Sequence, residues 1–273
     1  MPRWRSLVLS TFLVLGGGYV AIVLALWLRQ DAMVFAGAGY PDRGVPAMLR
    51  PAEVRWLGEG TDRTRIAVVR PEEAPVALVV YFGGNGEDLY ATAGTAGVLL
   101  GYGVEAWGHE HPGYGASPGQ PGVASLLAAA ERTVAAAKVR AAELGVPLVV
   151  VGSSLGTFCA VHTAAGGGVD RLILRAPPTT LVAAAKARFS WLPVGLLLRH
   201  RFDNQARALE VRCPTLVVHG DRDGIVPIEL GRELAAAIAG ARFVAVRGCG
   251  HNDLDLGPGG PVDAAVRQLL SGR

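Results

Sequence analysis

The strongest constraint on this chain is a rhythm. Between residues 53 and 273, short unbroken runs of Val, Ile and Leu recur, each stopped by Gly, Pro or Asn, and Ala-rich stretches long enough for helices lie between them. A strand with one wet face alternates apolar and polar residues, whereas a strand covered on both faces reads as a continuous apolar run. The runs predict strands over Glu53–Glu59, Arg65–Arg70, Val76–Phe82, Val104–Trp107, Leu148–Val151, Leu172–Leu174, Thr215–Val218 and Phe243–Val246. The intervening stretches predict helices over Leu89–Leu100, Val123–Leu144, Leu155–Ala165, Leu230–Ala239 and Val262–Leu270. Strands alternating with helices imply an α/β domain: a mostly parallel central sheet with helices on both faces. Functional loops in such sheets leave the carboxyl ends of the strands. Residues 179–212 break the rhythm with Phe189, Trp191, Leu192, Pro193 and Leu196–Leu198, and read as a short cap insertion between two strands.

The amino-terminal segment obeys a different rule. Leu7–Leu28 carries no charge and is bracketed by Arg3 and Arg5 before it and Arg29 and Asp31 after it. About 22 residues at about 1.5 Å each reach about 33 Å, enough to cross a hydrocarbon core of about 30 Å. Trp4 and Trp27 lie where an interfacial aromatic belt would sit. The expected organisation is a membrane anchor over 1–31 with a transmembrane helix at about 7–28, a linker and loop over 32–52, and the α/β domain over 53–273. A cleaved signal is the alternative, with Ala36-Gly37-Ala38 as its cleavage site, although signal cores are usually shorter. A buried core helix is a third reading. Lys and Arg tie across the span, so orientation is weakly marked, and the short leading tail favours an extracytoplasmic domain.

Composition excludes other classes. Basic and acidic side chains number 26 and 23, for a net charge of +3, and 51% of residues are hydrophobic, the reverse of a disordered chain. No basic stripe with interleaved aromatics marks a nucleic-acid surface. Cys159, Cys213 and Cys249 are too few and too apolar in context for a disulfide framework, and read as buried thiols. No Cys or His spacing suggests zinc, and no cofactor motif is present.

Chemistry concentrates after the run Leu148–Val151, where Gly152-Ser153-Ser154-Leu155-Gly156 leads into a helix. G-x-S-x-G between strand and helix is a sharp, strained turn that lifts a serine hydroxyl out of the sheet. Small residues are required two before and two after the serine, where a Cβ would clash. Ser154 is the candidate nucleophile, and the Leu155 N–H, at the helix start, is a candidate oxyanion donor. A serine needs a base, and the base an orienting acid. After Thr215–Val218 comes His219-Gly220-Asp221-Arg222-Asp223, and after Phe243–Val246 comes Gly250-His251-Asn252. Asp223 and His251 follow Ser154 in the order Ser, Asp, His, each beyond a strand; Asp221 competes for the acid's place. His109, His111, His162, His200 and His219 lack a matching context, and His162 reads as structural. Asp253 and Asp255 follow His251 and could tune it, a supporting or surface role being expected before a catalytic one. The loop Gly83-Gly84-Asn85-Gly86 offers a second oxyanion donor, Asn85 first and Gly84 second. It lacks the ending of a P-loop and the spacing of a dinucleotide fingerprint.

With these residues in place the sequence resembles the alpha/beta-hydrolase superfamily. The likeness lies in Phe82–Gly86, in His111-Pro112-Gly113-Tyr114-Gly115-Ala116-Ser117, in Gly152–Gly156, and in His219–Pro227 with Gly250-His251-Asn252, and it covers about residues 53–273. Within the superfamily the chain is similar to single-pass, membrane-anchored serine hydrolases with a small cap, on Trp191-Leu192-Pro193, Arg201-Phe202-Asp203-Asn204 and the leading apolar span. Two positions depart: Gly83 stands where the family commonly has histidine, and Glu110 where it commonly has aspartate. The resemblance implies an acyl ester or thioester hydrolase acting on a small, lipid-like substrate, without metal or organic cofactor. A non-catalytic membrane-tethered binding protein and an acyltransferase using the same three residues are the alternatives.

Overall fold

The computed structural model describes residues 3–49 and 52–272; for Arg3–Leu7 and Leu9 it describes the backbone alone, so the side chains of Arg3, Trp4 and Arg5 lie outside what is described. In chain order the elements are α1 (Arg3–Val34), β1 (Glu53–Leu57), β2 (Thr64–Val69), β3 (Leu78–Phe82), α2 (Leu89–Leu99), β4 (Glu105–His109), α3 (Val123–Leu144), β5 (Leu148–Ser153), α4 (Gly156–Ala165), β6 (Arg171–Arg175), α5 (Leu181–Arg188), α6 (Val194–Leu197), α7 (Gln205–Ala208), β7 (Thr215–Gly220), α8 (Ile228–Ala237), β8 (Arg242–Val246) and α9 (Asp263–Ser271).

The eight strands form one sheet in the order β1-β2-β4-β3-β5-β6-β7-β8. Pairings β1–β2 and β2–β4 are antiparallel, and every pairing from β4 to β8 is parallel. The continuous apolar runs have the predicted cause. Leu148 and Val150 of β5 face a core with Leu126, Val134 and Phe158 of α3 and α4. Val149 and Val151 face the other way, into a second core with Ala96 and Leu99 of α2 and Val266 of α9. Side chains alternate across a strand, so a strand sandwiched between helices needs apolar residues at every position.

The path of the chain reverses at β3, which has β4 on one side and β5 on the other. Reversal leaves a crevice at the carboxyl edge between β3 and β5, where the loop after Phe82 and the turn after Ser153 emerge side by side.

Two segments differ from the sequence expectation. Helix α1 does not stop at Leu28 but runs to Val34; Arg29 and Asp31 lie on an open helix surface and do not interrupt it. Within it, Ser10–Val34 is long and apolar enough to cross a membrane. Residues 32–52 were expected as linker and entry loop, and their first part is packed on the domain: Phe35 is 1% exposed, its ring edge-on to His200 and Phe202 at 4.7 and 6.3 Å. Gly37 is buried too, and a Cβ there would lie 2.4 Å from the Tyr114 ring. Among residues 179–212, the described structure is three short helices. Their return to the domain is held by Phe202 stacked on Phe158 at 5.0 Å and by Asn204, whose amide donates to Thr157 Oγ1 and the Pro178 carbonyl at 3.1 and 2.9 Å.

Candidate active site

At the end of β5 the chain turns through Ser154, whose φ is +48°. A non-glycine residue in this left-handed region costs about 1–2 kcal/mol, so the surroundings must hold it there. Its N–H donates to the Arg175 carbonyl at 2.9 Å, and its carbonyl accepts from the Thr157 N–H and hydroxyl at 3.1 and 2.6 Å. The flanking glycines are required sterically. A Cβ on Gly152 would lie 2.7 Å from Ala160 Cβ and from the Gly156 carbonyl, and one on Gly156 would lie 2.1 Å from the Phe82 carbonyl. Helix α4 therefore packs directly on the end of β3, and the turn delivers Ser154 to a cavity.

That cavity has a volume of about 680 Å³. Gly84, Asn85, Ser154, Leu155 and His251 line its floor, and Leu181, Phe189, Leu192 and Leu197 of the cap region line its roof. Val23, Leu26, Trp27, Gln30, Met33 and Val34 of α1 form a further wall. The cap residues were expected here; α1 was not.

Asp223 lies behind His251, its side chain fully buried. One carboxylate oxygen accepts from the Ile225 and Val226 N–H groups, both at 2.8 Å, and the other is 2.7 Å from His251 Nδ1. Burial alone would raise its pKa; hydrogen bonds from His219, His251 and the Val226 N–H outweigh that and hold it well below the usual carboxylate range. An ionised carboxylate on Nδ1 fixes the proton there, leaving His251 Nε2 as the basic atom on the cavity side. Asp221, the competing acid, is exposed and accepts from the Gly248 N–H at 2.6 Å. That bond joins the Asp223 loop to the His251 loop. The two loops also touch where a Cβ on Gly220 would lie 2.2 Å from the Cys249 carbonyl. Asp253 and Asp255 accept from Gly250 and Gly257 N–H groups in local turns. Among the described residues no hydrogen bond joins the Ser154 hydroxyl to His251; the two share the cavity.

The loop after β3 is braced by residues that the sequence reading passed over. His111 Nε2 donates to the Gly83 carbonyl at 3.0 Å, and the Tyr114 hydroxyl and the Gly37 N–H donate to the Asn85 carbonyl, both at 2.8 Å. Complete burial depresses His111 to about 4, partly opposed by its bond to Gly83, so it is neutral near pH 7. The Gly84 N–H is taken by Glu87 Oε1 at 2.9 Å. Among the described residues the N–H groups of Asn85 and Leu155 have no internal partner. Glu110, the other family departure, is buried and receives Arg65 at 2.8 and 2.9 Å and the Ser117 N–H at 3.0 Å.

His219 is a further residue missed by sequence. It is fully buried, with Nε2 3.0 Å from the Val226 carbonyl and 3.2 Å from the Asp223 carboxylate. Gly231 leaves room for its ring, since a Cβ there would lie 2.2 Å from His219 Nδ1. The only signal in the sequence was its place four residues before Asp223 at the end of a strand. His162 sits away from the site, 2.7 Å from Glu131. Cys159 is buried, and no disulfide forms among the described cysteines.

Fold and sequence comparisons agree on the class. A family model described as "Serine aminopeptidase, S33" matches residues 73–204, and one described as "TAP-like protein" matches 198–272. The chain belongs to the alpha/beta-hydrolase superfamily. An uncharacterized Mycobacterium tuberculosis protein, Rv2307c, is 29% identical over 92% of this chain and 90% of its own length. The lysophosphatidylserine lipase ABHD12 of Macaca fascicularis is 27% identical over 61% of this chain and 46% of that protein. The Pyrococcus furiosus esterase Pf2001 superposes with a TM-score of 0.68 at 16% identity, over 86% of this chain and 98% of the esterase, a likeness of fold. The coarse class that these matches support is hydrolase.

Proposed function

We propose that the protein is a membrane-anchored serine hydrolase that cleaves an acyl ester or thioester through an acyl-enzyme intermediate. One observation carries this reading: Ser154 at φ +48° and the His251–Asp223 pair, 2.7 Å apart, come from three distant segments and converge on one cavity. In this mechanism Ser154 Oγ attacks the acyl carbon while His251 Nε2 takes its proton. The N–H groups of Leu155 and Asn85 receive the oxyanion; one such donor is worth about 2.7–4 kcal/mol in the transition state. His251 returns the proton to the leaving alcohol or thiol. Water, deprotonated by His251, then releases the acid and restores Ser154. Asp223 keeps the imidazole in the required tautomer and stabilises its charged form. The hydrogen bond from Ser154 to His251 forms with substrate, as it often does in enzymes of this kind.

The anchor belongs to the same proposal, with the catalytic domain outside the cytoplasm. Phe35 and Gly37 are packed against the domain, so cleavage after Ala38 would strip buried residues from it. Alkaline phosphatase fused after residue 40 should be active if the placement is right and silent if it is not.

The activity is tested by fluorophosphonate labelling of wild type beside Ser154→Ala, both shown folded by circular dichroism. Wild type should label, and the variant should lose labelling and at least about 10³-fold in ester turnover. Folded wild type that does not label, or a variant that labels equally, overturns the reading.

A further inference from the structure

We propose that the last three turns of α1 are the acyl-binding wall of the active site, and that the cavity draws its substrate's chain from the bilayer around the rest of that helix. The substrate class is then an ester or thioester of a membrane-resident lipid rather than a dissolved small ester. This rests on the serine-hydrolase reading above.

The cavity that holds Ser154 and His251 is walled on one side by Val23, Leu26 and Met33 of α1. The same helix continues unbroken to Arg3, and its outer part exposes Phe12, Leu13, Val14 and Leu15 at 66–73%. So the helix that lines the site is also the helix whose apolar surface requires lipid.

The cap's position shows where the bilayer boundary falls. Tyr19 meets Trp191 edge-on at 6.1 Å and donates to its carbonyl at 3.3 Å. Tyr19 lies well inside the apolar stretch Ser10–Val34, so the tip of the cap is level with residues that a membrane must cover. A core of about 30 Å takes about 20 residues, which places Tyr19 inside the bilayer or at its edge. At that tip Trp191 and Leu196 are 51% and 86% exposed, large apolar side chains that an aqueous surface does not favour.

The wall is also fixed rather than leaning by chance. Gln30 is only 7% exposed; its Oε1 accepts from the Arg199 N–H at 2.8 Å and its Nε2 donates to the Leu197 carbonyl at 3.3 Å. A buried amide is retained only where it is satisfied, and these bonds seat α1 against the cap in one register. An acyl chain bound beside Val23 and Leu26 then keeps apolar company from the leaflet to the serine.

The test uses the full chain in lipid nanodiscs and a long-chain alkyl fluorophosphonate carrying a diazirine at the chain terminus. Its phosphorus should bond to Ser154, and after irradiation the tail should cross-link within residues 23–34. Attachment at Ser154 with the tail cross-linked elsewhere overturns the inference and spares the hydrolase reading. No attachment at Ser154 removes the hydrolase reading and the inference with it. A second arm compares chain lengths: in Leu26→Trp, and in Met33→Trp should the first fail to fold, the ratio of dodecanoyl to acetyl p-nitrophenyl ester turnover should fall at least tenfold. An unchanged ratio opposes an acyl wall on α1. A third arm supplies a slowly exchanging long-chain lipid ester in the same discs as the enzyme or in separate ones. Turnover at least tenfold faster in the shared discs is expected, and equal rates overturn the bilayer route.

Discussion

Two apolar stretches of this chain have similar composition and opposite surroundings. Leu148–Val151 in the middle of the sheet is 0–1% exposed, while Phe12–Leu15 of α1 is 66–73% exposed. Hydrophobicity alone does not distinguish them; length and punctuation do. A run of about five residues closed by Gly is a strand between two helix layers, and an uncharged run of about 20 residues suits a span. The first packs to crystal-like density and tolerates almost no change in volume. Among the described residues the second is largely exposed; contact with the cap begins at Tyr19, against Trp191, and the last turns enter the packed part of the molecule.

The largest expected difference between these regions is therefore steric, and glycine reads it. Gly156→Val should abolish folding of the domain, because its Cβ would sit 2.1 Å from the Phe82 carbonyl, a backbone atom that cannot move aside without shifting β3. Gly17→Ala in α1 meets nothing within 4 Å and should leave the domain folded, with helix propensity improved by about 1 kcal/mol. Expression and circular dichroism of both variants in mild detergent decide it. If both fold alike, the turn at Ser154 is not packed against β3.

The same contrast explains what was legible in the sequence. The eight strands and the five long helices of the domain fall within a few residues of their predicted ranges, because burial on both faces writes itself into consecutive residues. Ends moved where partners decided them: β4 reaches His109, past the predicted Trp107, because β2 and β3 both pair with it there. Helix α8 starts at Ile228, just after Pro227, which fits the first turn of a helix and cannot fit its interior. The Gly-x-Ser-x-Gly turn was legible because its pattern is contiguous, although the carbonyl that Gly156 must clear, that of Phe82, belongs to another strand. The roles of His111, Tyr114 and His219 were not. Their partners Gly83 and Asn85 lie 28 and 29 residues away, and for His219 the neighbouring Asp223 became visible only once both side chains were buried. The docking of α1 was hidden for a simpler reason: a helix apolar all round does not disclose which part of it meets protein.

A smaller effect separates the regions by pH. The packed site carries buried imidazoles. Burial sets His111 at about 4 in the folded protein, against about 6.5 in an unfolded chain. Between those values the unfolded chain binds the extra proton, so unfolding is favoured as pH falls. The stability that comes from keeping His111 neutral is fully present above about pH 6.5 and is lost progressively as pH drops toward 4. Its size is on the order of 3 kcal/mol. His109, also buried and depressed, contributes in the same direction. Urea midpoints of the domain should therefore fall between pH 7.5 and 4.5, and His111→Gln should show a shallower fall. An equal slope in the variant would mean that His111 is not buried as described.

The smallest effects lie at the junction, where α1 passes from open surface to packed wall. Gln30 and Asp31 are neighbours in sequence and differ in burial. Gln30 is enclosed, and Gln30→Ala would leave the Arg199 N–H and the Leu197 carbonyl without their partner, at a cost of about 1–2 kcal/mol. Asp31 is more than half exposed, with Arg199 and His200 at 2.9 and 2.7 Å, so Asp31→Ala should cost at most about 1 kcal/mol, and less at high salt. Differential scanning calorimetry in nanodiscs at low and high salt resolves the two. A larger, salt-sensitive loss in Asp31→Ala would mean that charge rather than burial holds α1 to the cap. In that case the proposed wall should loosen wherever ionic strength rises, and any acyl chain bound there would depend on salt for its binding surface. The buried amide predicts the opposite: a joint indifferent to salt, set by two backbone groups that only a side chain of this length, at this turn of the helix, can reach.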